Sequence, residues 1–187
     1  MSRRLVILDR DGVINHDSPD FIKSPDEWLP IEGSPEAIGT LSAAGFDVAV
    51  ASNQSGVGRK LLDKPTLEAI HDKMLAIVRE AGGDISQITY CPHHPDEGCE
   101  CRKPKPGMLK ELSRRYGVPL THVPVIGDSL RDIDAAIAVD ARPIVVRTGN
   151  GAKTVAALEA RGDSVEVFDD LAAAVAALVD EYRGGRG

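Results

Sequence analysis

The 187-residue chain has the length of one globular domain, with 42% hydrophobic and 27% charged residues. Its formal net charge of −7 argues against nucleic acid as the main partner, because such proteins bind phosphates through basic surfaces. No apolar run approaches the roughly 20 residues of a membrane span, and an odd number of cysteines, three, argues against a disulfide framework. We therefore expect one cytoplasmic, monomeric domain over residues 1–187 that binds neither membranes nor nucleic acid.

Short apolar runs alternate with helical patterns along the chain. Continuous apolar runs predict strands buried on both faces, and apolar residues three and four positions apart predict the helices that cover them. This alternation predicts an α/β fold, a three-layer α/β/α Rossmann-like parallel sheet. We expect strands at 5–8, 46–51, 88–90, 123–126, 143–146 and 165–168, helices at 35–44, 67–78, 108–116 and 170–182, a helix opened by a capping box at 129–132, and a disordered tail at 183–187.

Polar side chains stand directly after predicted strands or in the loops beside them. Asp9 and Asp11 follow the first strand two residues apart, so both carboxylates point the same way and repel unless a cation lies between them. Asp128 follows the fourth strand, and three carboxylates at one sheet edge predict a Mg²⁺ site. Lys103 and the Ser52 hydroxyl supply the positive charge and the donor that a transferring phosphoryl group needs.

Four short motifs occur in a characteristic order: Asp-x-Asp-Gly at 9–12, Ser-Asn at 52–53, Lys at 103 and Gly-Asp at 127–128. In this order they resemble the motifs of the haloacid dehalogenase superfamily of phosphatases. The resemblance implies that Asp9 is a nucleophile that forms an aspartyl-phosphate and that Asp11 is the general acid and base. It also implies that Asp9, the backbone carbonyl of Asp11 and Asp128 bind Mg²⁺. Ser52 and Lys103 would then stabilise the phosphoryl group.

All three cysteines lie within eleven residues, next to two histidines. Three thiolates and one imidazole are a complete ligand set for tetrahedral structural zinc. The chemistry alone does not separate His93 from His94, whereas the resemblance favours His93 by its position. We therefore expect a zinc-binding loop at 91–101 that fixes the direction of the cations that follow it. The expected ligands are Cys91, His93, Cys99 and Cys101.

The stretch from 91 to 108 is similar to a small branch of the superfamily that acts on heptose bisphosphate and histidinol phosphate. The resemblance implies a phosphatase that removes the C7 phosphate of D-glycero-D-manno-heptose 1,7-bisphosphate, in the synthesis of nucleotide-activated heptose for lipopolysaccharide core. One alternative is a histidinol-phosphate phosphatase. Another, from a different class, is a non-catalytic binding module stiffened by zinc.

The intervals between the motifs leave no room for a separate cap domain, so short loops must recognise the substrate. The second phosphate of a bisphosphate needs a cationic partner, and Arg102 beside the expected catalytic lysine is the best candidate. Arg59, Lys60 and Arg147 are weaker candidates, and we expect His71 on the polar side of its helix. The predicted substrate-binding residues are Asp17, Asn53, Gln54, Ser55 and Arg102.

Overall fold

The structure, a computed structural model, describes residues 4–185. Its strands are β1 (Arg4–Leu8), β2 (Phe46–Asn53), β3 (Gln87–Cys91), β4 (Pro124–Gly127), β5 (Arg142–Val146) and β6 (Glu166–Phe168). They form one sheet in the order β3-β2-β1-β4-β5-β6, and each neighbouring pair is parallel. Each predicted strand is found within two residues of its expected ends, and the predicted α/β fold is confirmed.

Helices connect the strands and cover the sheet. They are α1 (Ser34–Ala43), α2 (Ser55–Gly58), α3 (Lys64–Glu80), α4 (Gly107–Tyr116), α5 (Leu130–Ile137), α6 (Gly151–Arg161) and α7 (Leu171–Gly184). Two short 3₁₀ turns, Pro25–Glu27 and Pro95–Glu97, lie in the loops after β1 and β3. Among residues 4–185, no helix combines the length and apolar character needed to cross a membrane.

The alternation of side chains along each strand divides the core into two layers. Val6 and Leu8 of β1 point to one face, where α1, α3 and α7 pack against them. Leu5 and Ile7 point to the other face, which α4 and α5 cover, and α6 packs there against α5 and β5. Because both faces are covered, the strands are apolar throughout, as expected of a buried parallel sheet.

Parallel pairing fixes where the polar residues meet. Asp9 follows β1, Asn53 ends β2 and Asp128 follows β4, and these three strands are neighbours in the sheet. Their carboxyl ends therefore lie at the same edge, where ligands bind in open α/β sheets.

Three sequence expectations are corrected by the fold. The helix α6 was not predicted, because its alanine-rich sequence presents few apolar residues to the core. The last helix continues through Gly184 and Gly185 caps it, so the expected disordered tail was wrong at 183–185, and 186–187 lie outside the described residues. His71 is buried rather than on the polar side of α3, because it packs against Arg10 in the interior.

Candidate active site

Three carboxylates converge at the carboxyl edge of the sheet. One oxygen each of Asp9, Asp128 and Asp132 lies within 4.8 Å of the others. Burial, and then the charge of Asp132, raises the pKa of Asp9 well above its ordinary range. Burial also raises the pKa of Asp128 to about 6. Carboxylates held this close need a cation, and a set of hard oxygen donors suits Mg²⁺.

Asp132 is a site residue that the sequence analysis recognised only as part of a capping box. Its Oδ2 does accept hydrogen bonds from the backbone N–H (3.0 Å) and the hydroxyl (2.8 Å) of Ser129, which caps α5. Its Oδ1 accepts a bond of 2.5 Å from Lys103 Nζ. The carboxylate of Asp132 therefore caps the N-terminus of α5 and also binds the ammonium group of Lys103. The available signal was a second aspartate, Asp132, four residues after Asp128 and in the first turn of α5.

Lys103 is buried and faces the carboxylates. Its Nζ lies 3.2 Å from Asp9 Oδ1 and donates to the backbone oxygen of Ala51 at 2.7 Å. Asn53 clamps the lysine backbone, since its amide donates to Lys103 O (3.1 Å) and its carbonyl accepts from Lys103 N (3.0 Å). Asn53 was expected to bind substrate. The geometry makes it a residue that lines the cavity and positions Lys103.

The carboxylate of Asp11 is held apart from the other three. It accepts hydrogen bonds from Arg10, from Asn15 Nδ2 (2.9 Å) and from Gln54 Nε2 (2.8 Å). Burial raises the pKa of Asp11, but the charge of Arg10 and these hydrogen bonds outweigh burial, so the pKa lies below its ordinary range. Gln54 Nε2 also donates to Ser52 Oγ (2.8 Å), which is buried behind it. This arrangement orients the Asp11 carboxylate and keeps it ionised in the absence of substrate.

A cavity of about 270 Å³ opens above these groups, with the carboxylates and Lys103 at one end. Its lining also includes three arginines, Arg59, Arg102 and Arg131. Burial, and then the charge of Arg131, lowers the pKa of Arg102. Arg102 Nη1 is buried and has no hydrogen-bond partner among residues 4–185. Three arginines along one cavity wall make that wall positive and suited to bind an anion.

Only some of the other candidate substrate-binding residues line the cavity. Asp17 and Ser55 line the cavity, and Arg131 joins them although the sequence analysis did not select it. Lys60 lines a different groove. Arg147 is half exposed and pairs with Asp169 at 3.6 Å, away from the cavity lining. Both cations were weaker candidates for a second phosphate, and the fold does not bring them to it.

Asn150 connects the sheet edge to the loop that carries Asp17. Its backbone N–H donates to Asp128 Oδ2 (2.8 Å), and its side-chain amide lies within 3.2 Å of Asp128 Oδ2 and 3.1 Å of Asp17 Oδ2. The backbone of Gly12 (φ 81°) packs closely against the same carboxylate, since a Cβ at this position would lie 2.0 Å from Asp128 Oδ2. The position of Asp128 is therefore fixed from two sides.

The four predicted zinc ligands form one cluster. Cys91 Sγ lies 3.5 Å from His93 Nδ1 and 3.6 Å from Cys99 Sγ. Cys101 Sγ lies 3.2 Å from His93 Nδ1 and 3.6 Å from Cys99 Sγ. Zn–S bonds of about 2.3 Å in a tetrahedron place sulfurs roughly 3.8 Å apart, so these separations fit a single zinc ion. His94 Nδ1 instead accepts from the backbone N–H of Asp96 (3.2 Å) and caps the 3₁₀ turn.

Two glycines anchor the loop that carries this cluster. The backbone N–H of Gly58 donates to Pro92 O (2.8 Å), and a Cβ on Gly58 would lie 2.5 Å from His94 N. At the other end, a Cβ on Gly107 would lie 2.3 Å from Glu100 O. The loop therefore packs directly on the backbone of α2 and α4 before the chain reaches Arg102 and the catalytic edge.

Comparisons with known proteins agree with this geometry. The chain matches the HAD-hydrolase-like family model over residues 100–174 and the polynucleotide kinase 3 phosphatase model over residues 5–129. It is 53% identical to the D-glycero-beta-D-manno-heptose-1,7-bisphosphate 7-phosphatase of Pseudomonas aeruginosa, over 96% of this chain and 99% of the relative.

Solved structures give the same result. A D,D-heptose 1,7-bisphosphate phosphatase from Bordetella bronchiseptica, complexed with magnesium and phosphate, superposes with a TM-score of 0.91. It is 50% identical and covers 95% of this chain and 99% of its own. The corresponding enzyme from Burkholderia thailandensis has a TM-score of 0.74 at 40% identity and the same coverage.

Proposed function

Because the chain belongs to the D-glycero-beta-D-manno-heptose-1,7-bisphosphate 7-phosphatases, within the haloacid dehalogenase-like hydrolases, we propose that it hydrolyses the C7 phosphate of D-glycero-β-D-manno-heptose 1,7-bisphosphate. This reaction is a step toward nucleotide-activated heptose for lipopolysaccharide core. One observation carries this proposal. The cavity joins a nucleophilic carboxylate beside Lys103 to an arginine-lined wall, so it fits a molecule with a phosphate at each end.

The chain's own residues supply each step of the proposed reaction. A carboxylate oxygen of Asp9 attacks phosphorus, the bond between phosphorus and the C7 oxygen breaks, and Asp11 gives that oxygen a proton. The dianionic phosphate next to Asp11 favours the protonated form needed for this transfer. Water then attacks the aspartyl-phosphate, Asp11 takes the water proton, and the bond to Asp9 breaks to release inorganic phosphate. Lys103 neutralises phosphoryl oxygens throughout.

The carboxylate cluster fits Mg²⁺. Asp9 and Asp128 would hold the ion together with the backbone carbonyl of Asp11. Both oxygens of Asp132 already accept hydrogen bonds. Asp132 would therefore orient Lys103 and Ser129 rather than bind the ion directly. When bound, Mg²⁺ supplies positive charge that keeps the carboxylates ionised and offsets the charge of the phosphoryl oxygens.

The cysteine cluster fits a structural zinc ion. Its four ligands leave no open coordination position for substrate, and the loop leads directly into Arg102 and Lys103. We propose that the zinc ion holds this loop in place and thereby fixes the orientation of the Arg102 and Lys103 side chains. Three thiolate ligands also favour the reducing cytoplasm, where we place the protein as a monomer.

We assign the second phosphate to Arg102. Arg102 lines the cavity together with Arg59 and Arg131, so this wall is positive and the Arg102 guanidinium can pair with a phosphate bound there. A histidinol phosphate carries an amine in place of this phosphate and would meet the same cations unfavourably. A 3′-phosphorylated polynucleotide, suggested by one family-model match, is disfavoured by the net charge of −7.

The first prediction compares substrates. We expect kcat/KM for the heptose bisphosphate to exceed that for histidinol phosphate at least a hundredfold, which is about 2.7 kcal/mol of transition-state discrimination. An oligonucleotide 3′-phosphate should be slower still. A reversed preference for either alternative would overturn the proposed substrate while leaving the phosphatase chemistry intact.

An Arg102→Met variant tests whether Arg102 binds the second phosphate of the substrate. It keeps the length of the side chain without the charge, and we expect a loss of roughly 10-fold to 100-fold in kcat/KM for the bisphosphate. The heptose 7-monophosphate should lose much less. Equal losses for both substrates would contradict the assignment of Arg102.

The third prediction concerns how Mg²⁺ changes thermal stability at different pH values. Burial raises the pKa of Asp128 to about 6, so between about pH 4 and about pH 6 the metal-free folded state holds a proton that the unfolded state has released. This group's contribution to the stability of the metal-free protein is therefore greatest at low pH and is lost as pH rises through about 6. Mg²⁺ should raise Tm strongly at pH 8 and weakly at pH 5. Equal increments at both pH values, or a full increment in Asp128→Asn, would contradict the site.

A further inference from the structure

Arg10 lies between the proposed nucleophile and the proposed acid and base, yet the reaction described above does not use it. Its side chain is completely buried. Nε and Nη2 both donate to Asp11 Oδ1, at 3.1 and 2.9 Å, and Nη2 also lies 3.2 Å from Asp11 Oδ2. A buried guanidinium is costly unless its donors are satisfied, so the remaining partners of Arg10 matter.

One of those partners is His71 of α3. Its Nε2 lies 3.4 Å from Arg10 Nη1, and both side chains are buried. Burial, and then the charge of Arg10, lowers the pKa of His71 to about 4. The ring is therefore neutral near pH 7, and a proton on Nδ1 leaves the Nε2 lone pair free to accept from Arg10.

Gln54 completes the cage around Asp11. Its Oε1 accepts from Arg10 Nη2 at 3.2 Å, and its Nε2 donates to Asp11 Oδ2 at 2.8 Å. Asn15 donates to the other oxygen of Asp11 at 2.9 Å. The guanidinium thus has a partner for each of its three nitrogens, and the carboxylate is oriented from several sides.

We propose that His71 and Arg10 form a positioning pair, in which the neutral imidazole holds the guanidinium and the guanidinium holds Asp11 at the angle needed for proton transfer. The inference rests on the proposed phosphatase function and extends it to a helix that contributes no group to the cavity lining. Neither His71 nor Arg10 lines the cavity. Through a 3.4 Å contact with Arg10, His71, which lies 61 residues later in the chain, thereby orients the acid and base of the reaction.

The test uses the dependence of the reaction on its leaving group. A sugar alkoxide needs a proton from Asp11 in order to leave, whereas p-nitrophenolate leaves with little help. Because kcat/KM reports steps up to departure of the leaving group, misplacing Asp11 should affect the two substrates differently. A variant that only loosens packing should affect them equally.

We expect His71→Leu to lose roughly 10-fold to 100-fold in kcat/KM for the heptose bisphosphate. The loss for p-nitrophenyl phosphate should be smaller by a factor of ten or more. His71→Gln keeps a hydrogen-bond acceptor and should recover most of the lost activity. Equal losses for both substrates, or a failure of His71→Gln to exceed His71→Leu, would overturn the proposal.

A crystal structure of zinc-loaded His71→Leu provides a readout that does not depend on activity. We expect Arg10 to lose its fixed position and the Asp11 carboxylate to rotate away from Asn15. An unchanged Arg10–Asp11 pair would overturn the inference. If wild-type protein hydrolyses the aryl phosphate but not the heptose bisphosphate, the proposed substrate fails, and this structural measurement still decides the role of His71.

Discussion

Replacing Asp9 by asparagine is expected to abolish phosphatase turnover while the fold remains intact. The amide cannot form an aspartyl-phosphate, and we expect kcat to fall by at least about 10⁴-fold. Folding should survive because asparagine keeps the size of the side chain and relieves repulsion from Asp128 and Asp132. The loss of the ion pair with Lys103 (3.2 Å) works in the opposite direction. Steady-state kinetics and thermal unfolding measure both effects.

The matched control for this variant is Asp84→Asn. Asp84 is exposed and precedes β3, at the edge of the sheet opposite the carboxylates. Its substitution should leave kcat and Tm close to those of the wild-type protein. Quenching wild-type enzyme during turnover should also trap phosphate on the protein, and Asp9→Asn should trap none. Substantial turnover by Asp9→Asn would refute the covalent mechanism.

Replacing Cys101 by serine is expected to release the zinc ion and to destabilise the protein. The protein should be purified with about one zinc per chain, because a cysteine and histidine set of this kind binds zinc tightly. Losing the ion should lower Tm by about 10 °C, since each kcal/mol corresponds to roughly 2–4 °C in a chain of this size. Activity should fall with it, because the loop no longer fixes Arg102 and Lys103.

His94→Gln is the matched control for the zinc prediction. His94 is next to a ligand in sequence, but its ring caps the turn Pro95–Glu97 rather than joining the cluster. This variant should keep its zinc and lose only about 1 kcal/mol of stability. Metal analysis of both variants decides the point. A zinc-free His94→Gln, or a zinc-loaded Cys101→Ser, would show that the ligand set is wrong.

Much of the site could be predicted because it follows the ends of strands. Asp9, Asp128 and the Ser52–Asn53 pair come directly after or at the end of apolar runs, so the order of a parallel sheet brings them to one edge. Lys103 could be identified because it stands in order among the four motifs that resemble those of the haloacid dehalogenase superfamily. These features depend on local sequence and on the topology, both of which are visible in the chain.

The remaining assignments depended on contacts between distant residues. Asn53 and Gln54 carry amides suited to binding a sugar, but Lys103 and Asp11 use those amides in the folded chain. His71 occupies a helical position that local periodicity leaves open, and its burial is decided by Arg10, 61 residues earlier. Arg131 is an ordinary charged residue in sequence and enters the cavity because α5 begins beside it.

The anchoring of the metal-bearing loop between Gly58 and Gly107 has a consequence for protein engineering. The segment begins at a sheet strand and ends at a helix, and close backbone contacts at Gly58 and Gly107 hold its two ends in addition to the metal ligands within it. Such a segment can be exchanged as a cassette. Libraries that vary positions 94–97, while keeping the four metal ligands and both glycines, would alter a groove that Pro95 and Gly98 share with Arg102 and Arg131, without changing the carboxylates of the catalytic edge.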